Sequence, residues 1–217
     1  MVAVKLLITG FEPFGSEEVN PSYEAVRRLP DALAGAELAK LEIPTVFSQC
    51  GPALEKGIRT HQPDAVLCVG QAGGQAHIAV ERVGINLIDA RIPDNAGVQP
   101  VDVPVRPDGP AGYFSTLPVK AIVRRIRDRG IPCWLSCSAG TYVCNCLLYQ
   151  ALDIAALRYP HIRAGFIHVP FSSEQAAAKP GGTPSLPLAV ITQALALAAE
   201  AIAENPQDIH ESMGSIY

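Results

Sequence analysis

Apolar residues along this chain collect in short runs separated by amphipathic stretches. Val4 to Thr9 forms one run, interrupted by Lys5; Ala65 to Gly70 is apolar throughout; Ala164 to Val169 is apolar until His168. Runs of this length between turn residues predict strands buried on both faces. Leu38 to Ile43 and Trp134 to Ser136 predict further strands, and Ile78 to Ile88 alternates in part and predicts two short pieces. Helical patterns lie between. Asn20-Pro21 opens a helix, with Asn20 as N-cap and Pro21 at the first position. Pro52 to His61, Thr116 to Arg129 with Pro118 in its first turn, and Cys144 to Tyr159 predict three more helices. Ser185 is the expected cap of a last long helix. This alternation predicts an α/β fold: a single-domain α/β/α sandwich with a largely parallel twisted sheet, spanning residues 1–217. Residues 93–113 and 171–187 are rich in Pro and Gly and show no period. Long loops of that kind in a compact domain are usually functional or mobile.

Composition narrows the function classes. Hydrophobic residues make up 48% and charged residues 18% of 217, which suits a folded core. A formal charge of -4 leaves no electrostatic footprint for nucleic acid. The densest basic run, Arg124, Arg125, Arg127 and Arg129, reads as a solvated helix face. Val2 to Ile8 runs directly into Gly10-Phe11-Glu12-Pro13 without a cleavage site, so a buried strand is expected there and not a signal peptide. The stretch from Leu186 to Ala203 contains Thr192, Gln193 and Glu200, the pattern of a packed helix and not of a membrane span. Six cysteines occur, but Cys133-x3-Cys137 and Cys144-x-Cys146 lack the spacing of a zinc site. Reduced thiols in a cytoplasm, with no metal and no membrane or nucleic-acid partner, are therefore expected.

Three segments carry candidate chemistry. In Ser138-Ala139-Gly140-Thr141-Tyr142-Val143-Cys144-Asn145 a strand end, a glycine turn and a helix start follow one another. The positive end of a helix dipole favours the anionic form of a thiol placed there, and the turn leaves backbone N–H groups for an oxyanion. Cys144 is thus a candidate nucleophile, or else a packed core thiol. His168 closes an apolar strand, where a core histidine is the common case and a catalytic base the alternative. Glu81 lies among apolar residues and must be paired, with Arg82, Arg91 or an imidazole. The glycine cluster Gly70-Gln71-Ala72-Gly73-Gly74 lacks the endings of a phosphate loop.

Taken together these segments resemble the pyroglutamyl peptidase I family over nearly the whole chain. The resemblance rests on Thr9-Gly10-Phe11-Glu12-Pro13-Phe14-Gly15, Asn20-Pro21-Ser22, Pro44-Thr45-Val46-Phe47 and Cys68-Val69-Gly70-Gln71-Ala72-Gly73-Gly74. It continues in Glu81-Arg82, Asn86-Leu87, Ala90-Arg91-Ile92-Pro93-Asp94-Asn95, Ala139 to Asn145 and Phe166-Ile167-His168-Val169-Pro170. It implies one peptidase domain with Cys144 as nucleophile, His168 as base and Glu81 as the group orienting it. It further implies a pyroglutamyl-ring pocket of Phe11, Phe14, Thr45, Ile92 and Tyr142, with Asn20 supporting the phenylalanine loop. Backbone near Gln71 would bind the lactam, and backbone near Arg91 would join the oxyanion hole. No cofactor is implied; the expected partners are peptides with N-terminal pyroglutamate and further copies of the chain, as a homodimer or homotetramer. The chain departs from the family at Ala79, where Ser or Thr is usual, and at Cys146, where no thiol is needed.

An uncharged lactam calls for an apolar, aromatic pocket with a few backbone hydrogen bonds, which this residue set supplies. Two other readings compete. A nucleoside-phosphorylase-like enzyme would use the glycine cluster with Arg82 or Arg91 for phosphate. A non-catalytic binder of pyroglutamate would keep the pocket without turnover.

Overall fold

The computed structural model describes residues 3–214, so Val2 of the first predicted strand and the two ends of the predicted domain lie outside the described residues. The first strand, β1 (Val4–Phe11), alternates sharply: Leu6 and Ile8 join one apolar cluster and Leu7 the other. That alternation is the period of a strand buried on both faces. It is followed by α1 (Pro21–Arg28), β2 (Ala32–Leu33), β3 (Ala36–Ile43), α2 (Phe47–His61) and β4 (Ala65–Gln71). The middle of the chain forms β5 (Ile78–Glu81), β6 (Val83–Ile85), β7 (Gly112–Phe114), α3 (Val119–Arg127) and β8 (Cys133–Ser136). Then come α4 (Val143–Arg158), β9 (Arg163–Val169), β10 (Phe171–Ser172), α5 (Ser173–Ala177), β11 (Ser185–Leu186) and α6 (Leu188–Glu204).

Seven strands make one sheet in the order β2-β3-β1-β4-β9-β5-β8. Its neighbours run parallel except at β2–β3 and β5–β9. Apolar side chains of α1, α3 and α6 cover one face, and those of α2 and α4 cover the other. This is the expected three-layer sandwich. Among the described residues no helix is long and apolar enough to cross a membrane.

Several expectations need correction. α2 begins at Phe47, five residues before Pro52, which lies inside the helix. Its first turn is anchored by the Asp94 carboxylate, which accepts the Phe47 N–H at 2.9 Å from 47 residues away. An acidic group at a helix N-terminus stabilises it, but nothing local announces this one. Ser185 does not cap α6: it pairs with Phe171 in the β10–β11 ladder, and Pro187 occupies the N-cap. Pro118 is likewise the N-cap of α3 and not a residue of its first turn. The basic run on α3 is only partly a free face. Arg125 bonds Glu200 at 3.0 Å and pairs with Glu204 on α6, and Arg127 donates to the Cys133 carbonyl at 2.6 Å. The loop after β6 contains a bridge between Ile88 and Val103 and the short strand β7.

Candidate active site

Cys144 is the second residue of α4, and the turn before the helix aims it at the sheet. After β8, Gly140 takes a left-handed conformation (φ +75°), which glycine adopts without a Cβ clash. Tyr142 is the N-cap in extended backbone. Two contacts fix the turn to the segment that follows β6: the Asp89 N–H donates to the Thr141 carbonyl (3.0 Å), and the Thr141 hydroxyl donates to the Asp89 carbonyl (2.8 Å). Asn145, wholly buried, accepts the Ile85 N–H at 3.0 Å and donates to the carbonyls of Ile85 and Leu87 at 2.9 and 3.0 Å. The thiol rests over Gly70 of β4. A Cβ there would lie 2.7 Å from Cys144 Sγ and 2.7 Å from the Phe166 ring, so only glycine fits without a shift.

His168 lies near the C-terminal end of β9, in register with Gly70 on one side and Ala79 on the other. Its Nδ1 meets Glu81 Oε1 at 2.8 Å. Both residues are buried, at 6% and 1% exposure, so the carboxylate has found a partner in place of water. Of the alternatives open to Glu81, this is the imidazole and not an arginine. Its second oxygen, Oε2, has no partner among the described residues. Burial opposes a charge on His168. The neighbouring Cys144, as a charge and as a hydrogen-bond partner, and then the Glu81 carboxylate outweigh it and raise the imidazole to about 10. With Nδ1 engaged by Glu81, Nε2 is the ring nitrogen left for the thiol.

The three side chains share a cavity of about 510 Å³, whose wall also includes Gln71, Tyr142 and Trp134. A larger cavity of about 720 Å³, between the 16–19 loop, α1 and α5, holds none of the three.

The other predicted residues fall into two groups. Tyr142 and Gln71 line the cavity; Phe11, Phe14, Thr45, Arg91 and Ile92 do not. Phe14 is half-buried, its ring centroid 6.2 Å from that of Tyr142, whose hydroxyl donates to the Pro93 carbonyl at 2.9 Å. Burial, with the nearby charges of Asp94 and Cys144, pushes the Tyr142 phenol up to about 12. Phe11 packs on Phe166 at 6.5 Å, and Phe166 on His168 at 4.8 Å. Arg91 and Ile92 are exposed, with Ile92 at 41%. Asn20 and Thr45 are scaffold. Asn20 donates to the Glu12 carbonyl at 3.0 Å and accepts from Ser22, whose hydroxyl oxygen accepts the Phe11 N–H. Thr45 donates through both its N–H and its hydroxyl to Glu12.

Four residues were not singled out from the sequence. Phe47 stacks edge-on against Tyr142 at 5.3 Å, and Asp94 anchors Phe47. Glu12 accepts from Thr45 and Asn95, tying three loops together. Gln175 of α5 donates to the Gln71 side chain (3.1 Å), Glu17 (3.0 Å) and the Val19 carbonyl (3.0 Å). Phe47, Asp94 and Glu12 stand inside the motifs that carry the family resemblance, yet their contacts are long-range and leave no local pattern. Cys146, flagged as a spare thiol, is buried away from the cavity, with Gln150 donating to its sulfur at 3.0 Å. All six cysteines are free.

Fold and site thus define an α/β protein with a thiol, an imidazole and a carboxylate gathered at the carboxyl edge of its sheet. Comparison with known proteins gives that class a family. The family model for pyroglutamyl peptidase matches residues 4–205. A pyrrolidone-carboxylate peptidase of Levilactobacillus brevis is 53% identical over 199 residues, 92% of this chain and 97% of that protein. One of Enterococcus faecalis is 49% identical over 99% of this chain and 100% of its own length. The crystal structure of pyroglutamyl peptidase I from Bacillus amyloliquefaciens superposes with a TM-score of 0.94 at 48% identity, covering 97% of this chain and 100% of that one. The chain belongs to the pyroglutamyl peptidase family.

Proposed function

We propose that this protein is a cysteine exopeptidase that removes N-terminal pyroglutamyl residues from peptides through Cys144, His168 and Glu81. The observation that carries this reading is the buried 2.8 Å contact between Glu81 and His168 in the cavity that also holds Cys144. A core histidine needs no carboxylate partner beside a thiol over a glycine.

The chemistry runs as acyl transfer. His168, held by Glu81 at Nδ1, takes the thiol proton at Nε2. The sulfur attacks the pyroglutamyl carbonyl carbon, and backbone N–H groups receive the oxyanion, each donor contributing about 10²–10³ in rate. The N–H of Arg91 suits that role: it makes no hydrogen bond within the described residues, and its segment is tied to the Cys144 turn through Asp89 and Thr141. The carbon–nitrogen bond breaks as His168 returns its proton to the leaving amine. Water, deprotonated by the same imidazole, then cleaves the thioester, releasing 5-oxoproline and the free thiol. Phe14, Tyr142 and Phe47 supply the apolar rings the lactam needs, and Gln71 lies at the cavity wall to meet its polar edge. The same reading places the chain in a reducing cytoplasm, which its free thiols suit, as a homodimer or homotetramer.

The test is release of a fluorogenic amine from its pyroglutamyl amide by wild type and Cys144→Ser, with reductant and chelator present. Release by wild type alone is expected. Silence from a folded wild type, or equal release by the folded variant, overturns the reading.

A further inference from the structure

The catalytic cavity extends past His168 to an aromatic surface that the acyl-transfer steps do not use. Four residues lie in register across the sheet: Gly70 on β4, His168 on β9, Ala79 on β5 and Trp134 on β8. Residues in register point to the same face of a sheet. Cys144 Sγ sits over Gly70, so the order along this row is thiol, imidazole, the bare methyl of Ala79, then the indole. Phe11, on β1, lies at the other end of that order, beyond β4.

Direction follows from the chemistry. The acyl ring binds on the Cys144 side, towards Phe14 and Tyr142. The leaving amine takes its proton from His168, so the departing peptide must lie on the side of the imidazole away from the acyl ring. That side is Ala79 and Trp134. Two strand spacings of about 4.8 Å put Trp134 about 10 Å from His168 along the sheet. Ala79, itself 4% exposed, puts only a methyl between them at the cavity wall.

The surface is built, not incidental. Trp134 is 51% exposed although it lies in the main sheet. The His77 ring stacks on it at 5.4 Å and 25°, and the Arg127 guanidinium lies 4.8 Å from its ring centre. His77, Gln75, Ala79, Trp134 and the three catalytic candidates all line the one cavity of about 510 Å³.

We infer that Trp134 and His77 form the leaving-group subsite, which binds an aromatic or large apolar side chain on the residue following pyroglutamate. This rests on the peptidase reading and adds a preference to it. The pocket for the lactam selects the first residue, and this shelf selects the second.

Trp134 is the chain's one tryptophan, so its emission reports on the shelf directly. Two measurements test the inference. In the first, kcat/KM is compared for pyroglutamyl-phenylalanine amide and pyroglutamyl-glycine amide with wild type, Trp134→Ala and Trp134→Phe. Wild type is expected to favour the phenylalanine substrate by about tenfold, the size of one stacked aromatic contact plus its burial. Trp134→Ala should lose most of that ratio and Trp134→Phe should keep it. In the second, Cys144→Ala is titrated with both amides, and only the phenylalanine amide should shift the tryptophan emission. An unchanged ratio in a folded Trp134→Ala protein overturns the shelf while the peptidase reading stands. Cleavage of neither amide by folded wild type overturns both. If Trp134→Ala changes the assembly size in light scattering and leaves the ratio intact, the face is a subunit contact and the shelf is rejected.

Discussion

At the scale of single residues, His168 is the most heavily constrained group in the protein. Burial works against its charge, and the neighbouring thiol and carboxylate restore it, placing the imidazole at about 10. Removing Cys144 removes the first of the favourable influences. In Cys144→Ala the imidazole should titrate at lower pH than in wild type, as followed by its ring-proton NMR shifts; an unmoved titration would show that the thiol does not act on the ring. The shift is also a stability statement. The folded value lies above the unfolded value of about 6.5, so the contribution is fully present below about pH 6.5 and is lost as pH rises through about 10. Urea midpoints taken from pH 6 to pH 10.5 should fall between about pH 6.5 and about pH 10, and over a narrower range with a smaller total loss in Cys144→Ala. Glu81→Gln keeps the shape of the side chain and removes its charge. Turnover should fall by about 10²–10⁴, as when the acidic member of a triad is neutralised, with the circular dichroism spectrum unchanged. The candidate side chains were legible through the family resemblance; local pattern alone left Cys144 as a nucleophile or a packed thiol and His168 as a base or a core histidine. The partner of Glu81 was not: local pattern allowed Arg82, Arg91 or an imidazole, and only the pairing of β5 with β9 brings Glu81 to His168.

At the scale of elements, the site depends on how α4 enters the sheet. A thiol at a helix N-terminus was legible from the strand, glycine turn and helix in sequence. What holds that helix end was not. Asn145 has no cap function for α4; its side chain makes three hydrogen bonds to the backbone at Ile85 and Leu87, 60 and 58 residues away. Such contacts have no period and no spacing rule. Asn145→Ala strands these buried polar groups, at about 1–3 kcal/mol each for those that water cannot reach. A loss of about 2–4 kcal/mol in urea unfolding is expected, together with reduced turnover as the Cys144 turn loosens. A loss below about 0.5 kcal/mol would show that the contact is dispensable. The same physics explains the misplaced starts of α2 and α6. Both starts were read from a local residue, Pro52 and Ser185. The first is set instead by Asp94 from a distant loop, and at the second Ser185 is drawn into a ladder with Phe171.

At the scale of the whole molecule, the three candidate groups and their glycine seat come from positions 70, 81, 144 and 168, on β4, β5, α4 and β9. Alternating strands and helices made the sandwich legible, but not the insertion of β5, antiparallel, between β9 and β8. That insertion sets Glu81 opposite Phe166, two residues in from His168 on β9, from where its carboxylate reaches the imidazole, and no local signal encodes strand order. The three candidate side chains are anchored in the centre of the sheet and in α4, against the same apolar cluster that packs α2 and α4. Activity should therefore disappear with the fold and not before it. In urea, turnover, helical circular dichroism and Trp134 emission are expected to share one midpoint, as in a two-state domain. If the chain assembles, that shared midpoint should rise with protein concentration, because association stabilises the folded state. Loss of turnover at clearly lower urea, with the other two signals intact, would show that the edge carrying Cys144 unfolds as a separate unit.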